Sequence, residues 1–541
     1  MNYVDSAWLL KAVNDGGEYA LLDVRERARY AGGHLLLAIN LPLSGIELRI
    51  RRYVPRLNSR VVLCDDGTGL AQRAARLLAT GGYSDVSVLE GGVGAWRKAG
   101  HEVFRAHYAM TYAFGLYVEQ RYGTPNLSAD ELKTRMDRGD EFVLVDARPI
   151  GEVGTATIPG ARSVPFSELA YRVRDLLPDD KTQLIVHCGA VTRGVLGTES
   201  LIEAGLKNPI LMASNGVRGW AHAGYELERG CERRYDPVTA ASLEFSVAAR
   251  DRVARNHDVK YISHEELAVW RTEANQRTLH LVDIRTAEEY ASGHVVGSIS
   301  VVGSELVGLY EDHIGTMNAR VCLIDDNGCR AATVASWLVR MGWPDVVVLK
   351  EALCGGQLAV GDEPTELLLG PEINVPTIDA PALALRIETN NVAVVDFSSN
   401  ANYNQAHVPG SWWTTRAYLA ENTALLPSVD TYVTTAQDPE LARLAAHDLQ
   451  RHCNSRVLAL EGGNNAWTRG GNPMSAGAGR VIGSIEDAPL EFLAKPNDDQ
   501  ETARAANTRN IEWQQSLLPK LVRDTSFAFP TLQPRTTEFT P

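Results

Sequence analysis

Cys188 and Arg193, in the stretch "LIVHCGAVTRG" (184–194), carry the strongest chemical signal in the chain. The apolar run predicts a strand, the residues after it a loop, and the residues beyond a helix. Such a loop leaves backbone N–H groups unpaired beside the positive end of a helix dipole, and both favour an anion at its centre. A thiol needs that help, because the thiolate is the attacking species. Gly189 and Gly194 are expected to let the backbone curl. Ala190 and Val191 complete the loop, Thr192 offers a hydroxyl donor, and Arg193 stands as a fixed cation at the mouth. His187 precedes the cysteine on the strand, so its side chain is expected to point the other way.

The elements that hold this loop occur four times. Apolar strands ending in Asp23, Asp146, Asp283 and Asp396 are each followed by a second apolar strand, a helical pattern and a third strand. The block 60–89 lies ungapped over 320–349, and "EGGVGAW" (90–96), "SNGVRGW" (214–220) and "EGGNNAW" (461–467) close three of the copies. Strands alternating with helices predict α/β domains, each a mostly parallel sheet with helices on both faces. Ligands bind such sheets at the loops beyond the strand C-termini. The expected domains are 1–105, 106–235, 236–365 and 366–478. A C-terminal extension, 479–541, carries an amphipathic helix over 498–524, with Ile511, Leu517, Leu518, Leu521 and Val522 as its apolar stripe. The aromatic connector 101–126 reads as packing between domains one and two.

The other copies supply an internal contrast. The counterparts of Cys188 read as Cys64, Ile324 and Thr435. Cys64 is followed by Asp65 and Asp66, which oppose thiolate formation, and Gly69 stands in the place of Arg193. Ile324 and Thr435 cannot be nucleophiles. The second domain therefore reads as the active one. Cys322 falls inside a strand, and Cys231, Cys329, Cys354 and Cys453 belong to no constellation.

The whole pattern resembles the rhodanese family of sulfurtransferases, in particular its bacterial four-module members. It runs strand-Asp-x-Arg, Gly-His with a downstream Pro or Gly, strand-Cys-loop-helix, then Gly-Gly-x-x-x-Trp. The resemblance implies that Cys188 takes a sulfane sulfur from a small donor of the thiosulfate, mercapto-acid or persulfide type. The cysteine would carry it as a persulfide and pass it to a thiol or protein acceptor, with no cofactor or metal. Asp146 and Arg148 would support the loop as a structural pair, and Arg172 and Arg174 would add positive potential near the mouth. This chain departs from the resemblance at Val191, where the four-module proteins carry a loop arginine. It departs again at Glu152, where the two-module enzymes have an arginine, and at "TATIPG" in place of Gly-His. A weaker grip on a dianionic donor follows. Two other readings stay open: a non-catalytic scaffold of degenerate modules that binds a protein or senses thiols, and a phosphatase of the same fold. Phosphatases require Cys-x5-Arg, and here the spacing is Cys-x4-Arg.

Composition bounds the rest. At 541 residues, a prior of roughly 100–200 residues per domain gives three to five domains. A net charge of −14 argues against nucleic acid or an anionic membrane as partner. The chain shows no long apolar run, its start lacks a basic segment, and its seven cysteines form no C-x-x-C pair. A cytoplasmic, reduced protein is expected.

Overall fold

The computed structural model describes residues 1–363, 374–389, 392–485 and 500–534. The expected domain boundary at 365–366 and the first two residues of the expected C-terminal helix lie outside these. In the second repeat, Phe142–Asp146 is flanked by Arg162–Ser163 on one side and Gln183–His187 on the other. Ile210–Ala213 and then Asn126–Leu127 follow, and every pairing is parallel. The first and third repeats have the same five-strand order, and the fourth adds Arg480–Val481 at one edge. The central strands read as unbroken Val, Leu and Ile runs because helices cover both faces of the sheet. Leu144, Val145, Leu184, Ile185 and Val186 are all buried, each contributing about 1.5–3 kcal/mol by leaving water. The helix Thr192–Ala204 leaves the C-terminal edge of this sheet and stops at Gly205, whose φ of +83° supplies the left-handed cap.

The strand register corrects the alignment of the repeats by one residue. Asp146 lies opposite His187, as Asp23 lies opposite Cys64, Asp283 opposite Ile324 and Asp396 opposite Thr435. Cys64, Ile324 and Thr435 are thus the counterparts of His187. Those of Cys188 are Asp65, Asp325 and Ala436. The loop contacts agree, since the carbonyls of Cys188, Asp65 and Ala436 each accept an N–H at 2.9 Å, from Val217, Val93 and Asn464. Counterparts of Arg193 move likewise, to Leu70 (not Gly69), Arg330 and Leu441. The apolar runs mislead because Cys64 and Ile324 are as buried as the strands they end.

The chain forms two compact units. One holds most of the first repeat together with the fourth; the other holds the second and third repeats with the C-terminal helix. Each unit joins its repeats through a buried arginine. In the first unit, Arg416 makes a two-pronged pair with Glu47, both contacts 2.8 Å. In the second, Arg330 reaches Glu168 at 2.9 Å, Glu289 at 2.8 Å and Asp325 at 2.8 Å, and lies over the Tyr171 ring. The connector forms the helix Ala109–Tyr122, which packs on Thr192–Ala204 and on the C-terminal helix Gln500–Arg523. The buried face of that last helix differs from the expected stripe. Ala506, Asn510, Gln514, Leu517 and Leu521 face inward, Ile511 and Leu518 are half-buried, and Val522 is 87% exposed.

Arg330 is fully buried among four carboxylates, so its removal leaves several unpaired charges inside the protein. Arg330→Ala is expected to lower stability by about 3–5 kcal/mol, read by urea denaturation. A loss of less than about 1 kcal/mol, the size of an exposed pair, contradicts this account of the junction.

Candidate active site

The strand Gln183–His187 delivers Cys188 to the C-terminal edge of the sheet, where it is 3% exposed. A short helix, Gly216–His222, locks the loop from behind. Its amides at Val217 and Arg218 donate to the carbonyls of Cys188 (2.9 Å) and Gly189 (3.2 Å). Gly216 has φ +47°, and a Cβ there would stand 1.9 Å from the Cys188 carbonyl oxygen, so the position admits only glycine. Asn215, at φ +54°, takes the other left-handed position. The "NGVRGW" signature is therefore the clamp of the cysteine loop, a role that reading it as a repeat marker missed. By contrast, neither Gly189 nor Gly194 has a positive φ, and a Cβ at either would meet its nearest neighbour at an ordinary 3.5–3.6 Å. Their expected part in curling the loop is not seen.

Asp146 and Arg148 form the buried pair expected beneath the loop. Arg148 Nε donates to Asp146 Oδ1 at 2.9 Å and Nη2 to Oδ2 at 2.6 Å, while Nη2 also reaches the Ala156 carbonyl. The Arg148 stem runs beside Gly189. Thr157, part of the "TATIPG" departure, donates its hydroxyl to Asp146 Oδ2 at 2.8 Å. His187 is fully buried with Nδ1 3.7 Å from the same oxygen, and burial lowers its basicity against the pull of Asp146.

In two of the other repeats the counterpart loop holds an anion. In the first repeat the Asp65 carboxylate accepts the amides of Gly67 at 2.8 Å and Ala71 at 3.1 Å, two and six residues on. The corresponding amides in the second repeat, those of Ala190 and Gly194, face the Cys188 sulfur. In the third repeat Asp325 takes the amide of Ala331 at 3.2 Å and the Nε of Arg330 at 2.8 Å. Burial nonetheless pushes the Cys188 thiol above its ordinary value. Arg193 and the two amides pull down, and Asp146 pushes up. The loop amides and Arg193 favour the anion as expected, but at 3% exposure desolvation outweighs them.

Three other expectations change. Thr192 donates its hydroxyl to the Thr111 carbonyl at 3.0 Å, and Gly115 packs against it, so it has no donor to spare. Arg172 does not lend charge to the mouth, because it is held by Glu168 at 2.6 Å and stacks on Tyr235; Arg174 pairs with Asp180. Arg193 is not an open cation. Its Nη1 and Nη2 contact the two Glu152 carboxylate oxygens at 2.5 and 2.8 Å, and Gly308 of the third repeat packs on its stem.

Comparison with known proteins agrees with this architecture. The rhodanese-like domain family model matches four times, at residues 5–99, 128–223, 264–355 and 379–469. The chain is similar to the crystal structure of a thiosulfate sulfurtransferase from Pseudomonas aeruginosa, with a TM-score of 0.91 and 36% identity, covering 98% of this chain and 100% of that one. It is 32% identical over 100 residues to a sulfurtransferase of Allochromatium vinosum, 18% of this chain and 92% of that protein. It is also 32% identical over 85 residues to the uncharacterised YibN of Escherichia coli, 15% of this chain. The matches span little more than half of YibN (57%) and of a Bacillus subtilis relative (54%). No helix among the described residues is long and apolar enough to cross a membrane. Four matched modules, four parallel sheets of one topology and a likeness spanning the chain lead to one conclusion: the chain belongs to the rhodanese family.

Proposed function

We propose that the protein is a sulfurtransferase whose second repeat does the chemistry through a persulfide on Cys188. The observation that carries this reading is the anion cradle, in which the sulfur of Cys188 takes the place that buried carboxylates take in two other repeats. The likeness to the Pseudomonas enzyme over nearly the whole chain supports the activity class.

The Cys188 thiolate attacks the outer sulfur of the donor, and the bond joining that sulfur to the rest of the donor breaks. The rest of the donor leaves with the electron pair, as sulfite from thiosulfate, a thiolate from a persulfide, or the enolate of the oxo acid from mercaptopyruvate, which then takes a proton from water. The new outer sulfur carries the negative charge, facing the amides of Ala190 and Gly194. A thiol or protein acceptor then attacks this sulfur, and Cys188 departs as thiolate. Gly189 to Gly194 form the binding loop, with Asp146 and Arg148 beneath it. The other repeats, in domains 1–105, 236–365 and 366–478, are silent on this reading, with Asp65, Asp325 and Ala436 at the reacting position. Cys64 sits one residue too early and is buried against Asp23, which hold its thiol well above the ordinary range. All seven cysteines are unpaired, which fits a reducing compartment such as the cytoplasm. A scaffold reading draws on the same three silent loops.

Intact-protein mass spectrometry after incubation with thiosulfate, mercaptopyruvate and glutathione persulfide separates the two readings. A gain of one sulfur mapped to Cys188 and removed by cyanide is expected. Cys188→Ser should abolish transfer and Cys64→Ser should keep most of it. No gain from any donor selects the scaffold.

The raised thiol pKa has a sign that can be read. At neutral pH the thiol form dominates, so alkylation of Cys188 by iodoacetamide should quicken about tenfold per pH unit and keep rising past the ordinary thiol range. Arg193→Gln removes a cation and should move that profile further up. A plateau reached near neutral pH contradicts the burial argument.

A further inference from the structure

We propose that Glu152 selects the sulfur donor by holding both terminal nitrogens of Arg193, so that the site takes an alkyl persulfide in preference to a donor bearing a sulfonate or carboxylate beside its transferable sulfur. The proposal rests on the sulfurtransferase reading above and names the substrate class of that same site.

The third repeat shows the division of labour. Arg330 sits five residues after Asp325, as Arg193 sits five after Cys188. Its Nε bonds the loop anion at 2.8 Å, while Nη1 goes to Glu289 at 2.8 Å. Glu289 follows the strand Asp283 by six residues, and Glu152 follows Asp146 by the same six. In both repeats the outer nitrogens of the loop arginine contact the repeat's own glutamate, and in the third repeat they also reach Glu168 and Asp326. The repeats without the glutamate also lack the arginine, reading Arg29 with Leu70 and Asn402 with Leu441. The pair therefore travels as a unit.

At the second repeat both terminal guanidinium nitrogens are already engaged by a carboxylate before any sulfonate arrives. Arg193 is only 13% exposed, and each of its two outer nitrogens gives one of its two N–H groups to a Glu152 carboxylate oxygen. A second carboxyl, Glu305 on the third repeat's helix Gly303–Gly308, lies within electrostatic reach of Glu152 and Arg193, and burial raises its pKa above the ordinary value. A dianion such as thiosulfate meets the Glu152 carboxylate there and must displace it from its partner. An alkyl persulfide, R–S–SH, needs no such displacement. Cys188 thiolate attacks its outer sulfur, the S–S bond breaks, and RS⁻ leaves with the electron pair and takes a proton from water. The transferred sulfur, with its hydrogen, stays on Cys188 as the persulfide.

The test isolates the loading step. Rapid-quench mass spectrometry gives second-order rate constants for Cys188 persulfide formation from glutathione persulfide and from thiosulfate. It is applied to the full-length protein and to Glu152→Gln and Glu152→Asp. Wild type is expected to load faster from the persulfide. In Glu152→Gln the ratio of thiosulfate to persulfide rate constants should rise by roughly tenfold or more, the scale of a freed charge-assisted hydrogen bond. Glu152→Asp, which keeps the charge, should hold the ratio near that of wild type. The proposal is overturned if wild type prefers thiosulfate, if Glu152→Gln leaves the ratio unchanged, or if Glu152→Asp raises it equally. Failure of the underlying reading looks different: neither donor places sulfur on Cys188 in the wild type.

Discussion

Two loop amides and the negative charge they demand organise this molecule. A strand that ends inside the protein and turns at once into a helix strands its amides where water cannot reach them. The first repeat answers with Asp65 and the third with Asp325. The second repeat places a thiol there instead, which fills the space and supplies no charge until it ionises or carries sulfur. On that view the persulfide completes a site that the thiol leaves half-satisfied. The clamp from Gly216 and Val217 keeps the amides fixed while the charge comes and goes.

The same constraint gives the third repeat a role beside the second. Glu168 of the second repeat reaches into the third to bond Arg330, and Gly308 of the third packs on the Arg193 stem of the second. Each loop arginine is thereby fixed partly by its neighbour. A repeat with Asp325 in place of the cysteine thus contributes part of the wall and the charge that set the other's surroundings. Buried ion pairs of this kind contribute little net stability against an apolar replacement, but they are costly to break singly. Their effect here is to hold a guanidinium in one place.

Much of this was legible in the sequence, and the exceptions have physical causes. Continuous Val, Leu and Ile runs announce parallel strands, and the recurrence of strand-Asp-x-Arg gives four modules. The one-residue error arose because Cys64 and Ile324 are as apolar as the strands they end. The counter-signal was present: 41 residues separate Asp23 from Cys64, Asp146 from His187 and Asp283 from Ile324. Arg193 and Glu152 were each singled out, but their pairing joins two helices, at positions 41 residues apart, and shows only once the sheet brings them together. The Thr192 hydroxyl is hidden from sequence for a similar reason, since its partner, the Thr111 carbonyl, depends on how helices pack, whereas the partner of Arg172 is Glu168, four residues earlier on the same helix, a spacing the sequence already held. The acidity of Cys188 was beyond sequence altogether, because it turns on burial.

The central claim, that the Cys188 loop exists to hold a sulfur-borne charge, is tested most directly by a crystal structure of the protein after exposure to glutathione persulfide. The account requires a second sulfur on Cys188, within hydrogen-bond distance of the Ala190 and Gly194 amides, in the place that the Asp65 carboxylate holds in the first repeat. An unmodified Cys188 with sulfur bound at another cysteine, or a persulfide turned away from those amides, would contradict it.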